Sequence, residues 1–467
     1  MFFKNDAEQA FKTDIVESPV MDTVIAKSAA IYAGQPPWLD RENRIKTINF
    51  AKSLSSETAR LTTLAIKITI EGSERAEWLQ SQIDKVFFDI RKWVEYGCAY
   101  GTVYIKPNGE SLDVFTPEDV LVTDYDNNGI TGAIFKDTYS KGKWTYTRLE
   151  YHRFGDADEN GARPYFISNR AYKSRTPDSI GDPVPLSETK WSGLMDDSPP
   201  IMAGDGVGLD GPMFGVLTTP QANNIDKNSP LGLPIFAEAI EELKDLDVAY
   251  SRMNNEIYDS ERIVLTDDRL LAPAGTKFGD FSPGDRATNK LPRFVRNVFG
   301  NNVDEFYQEI NPQLNTDERM KGINALLSQI GYKAGFSNGY FVFDQKTGMV
   351  TATQVESDDR RTIQFIKDCR DQLEKCMDRI IYALNVYADL YGESPFGECE
   401  TTYDFGDITY NREEDRARWW GYVNAGKVPA WMYFVKFEGF SEEDAKAMVD
   451  EAAPKEEDIF DSKYKEE

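Results

Sequence analysis

His152 is the chain's single histidine, and it stands on a predicted strand between Tyr151 and Arg153. With one imidazole, neither a catalytic triad nor a histidine-rich metal site is expected, and the residue reads as structural. Gly206-x-Gly208-x-x-Gly211 matches a dinucleotide fingerprint by letter. Pro212 follows it, no strand is predicted before it and no helix after it, so a phosphate cradle is not expected. Asp124-x-Asp126-x-Asn128-Gly129 opens like a calcium loop, yet position twelve is Phe135 where a bidentate carboxylate is needed. Asn128-Gly129 between alternating apolar residues is better read as a hairpin turn. The chain has no Gly-x-x-x-x-Gly-Lys-Ser/Thr string, so it is not expected to hydrolyse ATP. Carboxylates abound, 79 Asp and Glu against 53 Lys and Arg, but no spacing pairs them into a nuclease or glycosidase constellation. The reading is a protein without catalytic residues, metal or cofactor.

The net charge of −26 argues against a surface that grips nucleic acid, which wants clustered Lys and Arg, and against an anionic membrane surface. No apolar run reaches the roughly 18 residues of a spanning helix, and the N-terminus lacks a signal-peptide pattern. Cys98, Cys369, Cys376 and Cys399 are too few and too scattered for a disulfide framework, and fit a reducing cytoplasm. At 467 residues, with 40% hydrophobic and 12% aromatic content, the chain can bury a large core spread over several subdomains.

The elements that would position any functional residue fall into an α+β pattern. Residues 1–40 form a leader that ends in a Gln35-Pro36-Pro37-Trp38 elbow. Helices are expected over 41–63 and 74–97, the latter stopping at Gly97, with a strand at 65–70 between them. Short antiparallel strands follow at 102–105, 112–115, 120–122, 132–139 and 144–154, then a loop-rich stretch with a strand near 165–167. Three helical runs come next, 229–261, 315–336 and 351–391. The first has Pro230 and Pro234 in its first turn, and Asn315 with Glu318 caps the second. A capping box, Thr351-x-x-Gln354, opens the third, which stops at Gly392. Residues 262–312 and 337–350 separate the runs, and a small helical unit with Gly426 as a stop occupies the C-terminal end. Two rods with a compact insertion at one end and a loop at the other make a shaft, which suits a channel-lining subunit.

Four blocks carry a family resemblance. They are GCAYGTVYIKPNGESLDVFTPEDVLVTDYDNNGITGAIF, PYFISNRAY, QANNIDKNSPLGLPIFAEAIEELKDLDVAYSRMNNEIYDSERIVL and GYFVFDQKTGMVTATQVESDDRRTIQFIKD. In this order and spacing they resemble the portal proteins of tailed bacteriophages, the head-to-tail connectors, of siphophage type. The resemblance implies a portal fold with an α/β wing (1–228 with its leader), a stem helix (229–261) and an α/β clip (262–312). A second stem helix (313–336), a tunnel loop (337–350), a long helix returning to the wing (351–410) and a helical crown (411–467) complete it.

It also implies a homo-oligomeric ring, usually of twelve, at one capsid vertex of the virion. Duplex DNA would pass along its axis during packaging and ejection. The expected partners are the terminase large subunit, head-completion or neck proteins, and the major capsid and scaffolding proteins, with host cytoplasm as the place of assembly. In such a ring Glu238, Glu241, Glu242 and Asp245 are the candidates for an acidic lumen face. Phe343, Gln345, Lys346, Thr347 and Met349 would line the tunnel loop, with Lys346 as a ring of weak phosphate contacts. Arg286, Lys290, Arg293 and Arg296 form a basic stretch suited to partner docking at the clip. Two other readings stay open at this point: a different virion component of capsid, tail or baseplate, and a cytosolic carboxylate-dependent hydrolase.

Overall fold

A computed structural model describes residues 3–40, 42, 44–158, 161–176, 179–203, 208–259, 263–267, 295–298, 307–310, 314–343, 352–406 and 412–452. It is a mixed helix and sheet protein made of two compact units, Met1–Phe405 and Gly406–Glu467.

The leader forms α1 (Lys4–Phe11) and α2 (Pro19–Tyr32). The Ser18 hydroxyl accepts from the Met21 N–H and Pro19 opens the first turn, so α2 starts where local chemistry dictates. Phe3 and Ala7 are buried with Leu121, Ile134, Leu149 and Tyr151, which makes the leader part of the core. Helix α3 spans Phe50–Thr62, shorter than the run predicted from residue 41. The preceding backbone bonds elsewhere: Ile48 N–H donates to Asp247 Oδ1 at 3.0 Å, and Lys46 N–H to Ser251 Oγ at 2.9 Å. Strand β1 (Lys67–Glu71) follows, then α4 (Glu74–Val86), a 3₁₀ turn (Phe87–Asp89) and α5 (Ile90–Tyr100). Gly97 does not end the helix; it lies inside α5, and Gly101, with φ +80°, is the left-handed stop.

Strands β2 (Thr102–Pro107), β3 (Leu112–Phe115), β4 (Val120–Asp126), β5 (Gly129–Lys141), β6 (Trp144–Phe154), β7 (Tyr165–Ser174), β8 (Asp182–Val184) and β9 (Gly215–Thr218) form two sheets, ordered β3-β2-β9 and β4-β5-β6-β7-β8. The β4–β5 hairpin closes at Asn127–Asn128, one residue before the predicted turn, with Asn128 N–H bonded to Asp126 Oδ1 at 2.7 Å. Tyr104, Phe115, Val120, Ile130, Phe135 and Phe214 pack between the two sheets.

Helix α6 (Ile240–Asp259) begins about ten residues later than predicted, after a 3₁₀ turn at Ala237–Ala239. The strip holding Pro230 and Pro234 cannot be its first turn, because its backbone is already bonded to neighbouring elements. Gly232 N–H donates to Thr102 Oγ1 at 2.9 Å, Leu233 O accepts from Thr219 Oγ1 at 2.6 Å, and Ile235 N–H donates to Cys98 O at 3.0 Å. Beyond α6, strands β10 (Ile263–Asp267), β11 (Val295–Val298) and β12 (Tyr307–Ile310) form a sheet ordered β11-β10-β12, parallel on the first side and antiparallel on the second. Helix α7 covers Thr316–Lys333 and α8 covers Ala352–Tyr391. Strand β13 (Glu400–Asp404) then pairs antiparallel with β1.

The buried stripe of α8, with Ile366, Cys369, Leu373, Cys376, Ile380 and Leu384, packs on β9, β2, α3 and α4. Two buried arginines pin it. Arg370 donates to the carbonyls of Leu61 and Thr62, so a cation sits on the C-terminal end of α3. Arg75 uses all its faces: Asp389 at 2.7 Å, Asn385 at 2.8 Å, and the carbonyls of Ser394 and Pro395. In the second unit, α9 (Arg412–Asn424), α10 (Ala430–Tyr433), a π-type turn (Phe434–Glu438) and α11 (Glu442–Ala452) gather Trp419, Tyr433 and Phe437 into a small aromatic core.

Candidate functional site

The helical pair α6–α7 is antiparallel, and charges set its register at both ends. Near the distal sheet, Glu256 accepts from Asn315 N–H at 2.9 Å and pairs with Arg319. That carboxylate supplies the partner the α7 N-terminus needs; the predicted Asn315 side-chain cap does not form. At the other end Glu242 accepts from Lys333 Nζ and from Gln329 Nε2 at 3.2 Å. The hairpin therefore draws Glu242 inward, while Glu241 and Asp245 stand exposed, and Glu238, also exposed, accepts from Asn224 Nδ2 at 2.7 Å. On the opposite face of α6, buried Asp247 accepts from Trp38 Nε1 at 2.8 Å and from Ile48 N–H. Burial pushes the Asp247 carboxyl up, against the pull of these two donors.

Arg296 lies on β11 opposite Leu265 in the parallel register. Arg286, Lys290 and Arg293 lie outside the described residues, as do Gln345, Lys346, Thr347 and Met349.

The segment after α7 leaves through a Schellman turn. Phe336 N–H reaches back to Gly331 O at 2.9 Å and Gly335 sits at φ +101°. Its root is then fixed on three sides. Ser337 and Thr362 exchange hydrogen bonds: Ser337 N–H donates to Thr362 Oγ1 at 2.8 Å, and Thr362 N–H to Ser337 Oγ at 3.3 Å. Tyr340 OH donates to Glu57 Oε1 at 2.6 Å. The Arg60 guanidinium, which grips the same carboxylate, holds it below the usual carboxylate range. Phe336 packs on Phe365, Tyr340 and Phe341, and Phe341 meets Phe50 edge to face. Phe343 N–H donates to Asn324 Oδ1 at 3.0 Å, and the residue is 63% exposed. The break after the second helical run was legible in the sequence; the Glu57 and Thr362 partners could not be read, since they come from α3 and α8.

His152 belongs to a buried polar centre between the sheets. Its Nδ1 is 2.9 Å from Tyr165 OH, whose oxygen already accepts from Met213 N–H. The tyrosine proton therefore points at Nδ1, and Nε2–H donates to Glu150 Oε1 at 2.9 Å. Burial pushes the imidazole down, so it is neutral. Glu150 also takes Lys106 at 2.8 Å and Arg148 at 2.7 Å. Burial alone would raise its carboxyl, but Lys106, the His152 hydrogen bond and Arg148 together hold it well below the usual range. Both oxygens of this carboxylate are engaged, which suits a structural role. Gly208 to Gly211 is irregular and leads into β9, while Gly206 lies outside the described residues. Among the described residues no cluster of His, Cys, Asp or Glu could hold a metal, and no helix is long and apolar enough to cross a membrane.

No curated protein matches the chain. The family described as phage portal protein, SPP1 Gp6-like, matches residues 34–458, a span that takes in the four sheets described above, the α6–α7 hairpin and the long helix. A match across nearly the whole length settles kinship where no single block could, and the chain belongs to the phage portal protein family.

Proposed function

We propose that copies of this chain, twelve to a ring, line a channel with their α6–α7 hairpins. The family's role is structural: a portal at a capsid vertex through which double-stranded DNA is packaged and released, in contact with capsid and terminase. The observation that carries the finer reading is the hairpin itself, which keeps Glu238, Glu241 and Asp245 exposed while its ion pairs consume Glu242. A lumen of one sign repels phosphate. Each phosphate neutralised would steepen the salt dependence of binding by about 0.9 in log–log slope, so a conduit benefits from few and exchangeable contacts.

In this reading α6 and α7 are the stem, and the β10–β12 sheet is the clip. Its basic residues Arg286, Lys290, Arg293 and Arg296 dock the terminase large subunit and later the head-completion or neck proteins. Lys346, with Gln345, Thr347, Met349 and Phe343, forms the narrow ring of the tunnel loop. The wing, residues 1–228, meets the major capsid and scaffolding proteins during assembly in the host cytoplasm, and the crown is the second compact unit. The test is electron microscopy of the purified protein in negative stain. Rings of about twelve subunits around a central hole are expected, and filaments or a globular dimer would overturn the reading.

A further inference from the structure

One face of the five-stranded sheet carries cations seated on aromatic rings, far from the hairpin in sequence and unused by the channel reading. Cross-strand register puts Lys141 opposite Trp144, Tyr139 opposite Tyr146, and Tyr146 opposite Lys173, all on one face. Lys173 Nζ lies 4.5 Å from the Trp144 ring centre and 5.4 Å from that of Tyr146. Arg175 lies 4.8 Å from the Trp144 ring centre on the same cluster. Lys190 covers Tyr139 and Trp191, and Tyr139 stacks on Tyr146 at 4.9 Å with planes 7° apart. Lys143 is exposed in the β5–β6 turn. The nearby carboxylates are Asp137, already held by Lys190, Arg148 and Trp191, Asp182, which stands opposite Lys173 in the β7–β8 register, and Glu188 just beyond β8. Among the described residues Lys141, Lys143, Lys173 and Arg175 form no ion pair. In a chain of net charge −26 this is a patch of the opposite sign.

We propose that this patch, built on Lys141, Lys143, Lys173 and Arg175 around Trp144, is a docking site for an extended acidic segment of a partner protein. Rings that hold the cation stems in place reduce the rotamer freedom lost on binding. The three strands β5, β6 and β7 sit about 4.8 Å apart, and an extended peptide presents same-side carboxylates about 6.8 Å apart, so two or three can meet the cations at once. Duplex DNA fits less well. It brings one phosphate for roughly every 1.7 Å of axis, and beyond the patch those charges would face an acidic protein.

The experiment is fluorescence anisotropy of the full chain with labelled oligoglutamate, alongside oligoglutamine and a short DNA duplex. Oligoglutamate should bind in a salt-sensitive manner and oligoglutamine should not. The variant K141E/K143E/R175E should weaken binding by about tenfold or more, about 1.4 kcal/mol. The milder K141Q/K143Q/R175Q should fall between, with circular dichroism showing that both variants stay folded. Equal binding by the charge-reversed variant, equal binding of oligoglutamine, or tighter binding of the duplex than of oligoglutamate would each overturn the proposal.

Discussion

Glu150 is the centre to which the lone histidine, read from the sequence as structural, belongs in the fold. Its carboxylate neutralises two buried cations and accepts from His152, so removing its charge strands Lys106 away from water and leaves Arg148 with Asp137 alone, 3.8 Å away. Glu150→Gln is expected to lose about 3–5 kcal/mol in chemical denaturation, the scale of a broken buried ion pair. The pH sign follows from its lowered folded pKa. The stabilisation is complete above the unfolded value of about 4.3 and is lost as pH falls through the lower folded value. The Gln variant should therefore show a flatter acid limb than the parent; an equally steep limb would mean that Glu150 is not the group responsible. The neighbours Tyr151 and Arg153 could not announce this centre. Lys106 comes from β2 in the other sheet and reaches Glu150 only because the two sheets pack together, while the β6–β7 register brings Tyr165 to His152.

Helices and strands were legible wherever the apolar period was long, as in α8, expected over 351–391 and found over Ala352–Tyr391. Boundaries failed where tertiary bonds claimed backbone that local pattern assigned to a helix, before α3 and before α6. The 74–97 run missed the 3₁₀ break at Phe87–Asp89, because the apolar letters continue through it. Glycines carried more information than their letters suggested. A side chain on Gly335 would meet the Phe365 ring at 2.6 Å and sit at a φ that L-residues rarely adopt. Gly335→Ala is thus expected to cost more than about 1 kcal/mol in thermal or chemical unfolding. It should also loosen the Ser337–Thr362 exchange, read as faster hydrogen exchange at the Ser337 amide. Unchanged stability and exchange would show that the turn tolerates a different geometry.

A closed ring of this chain brings like-charged subunits together, and screening must help them. The Debye length is about 10 Å at 0.1 M salt and about 30 Å at 0.01 M. Sedimentation velocity should show the ring fraction rising as salt increases between these limits; a fall would indicate that attractive pairs, not repulsion, dominate the subunit contacts. The net charge behind this expectation was plain in the composition, whereas which carboxylates stay exposed required the hairpin register. The 40 residues of α8 extend roughly 60 Å at 1.5 Å per residue. Arg370 and Arg75 fasten this rod at its middle and at its far end, Thr362 is tied to Ser337 and Arg361 to the Tyr332 carbonyl, and the turns ahead of Arg361 project as a cantilever. A sideways push on the first turns cannot make the rod pivot freely. It must flex the helix or pry Arg370 from the α3 carbonyls, and so force on the segment ahead of α8 is delivered as torque to the sheet-bearing body.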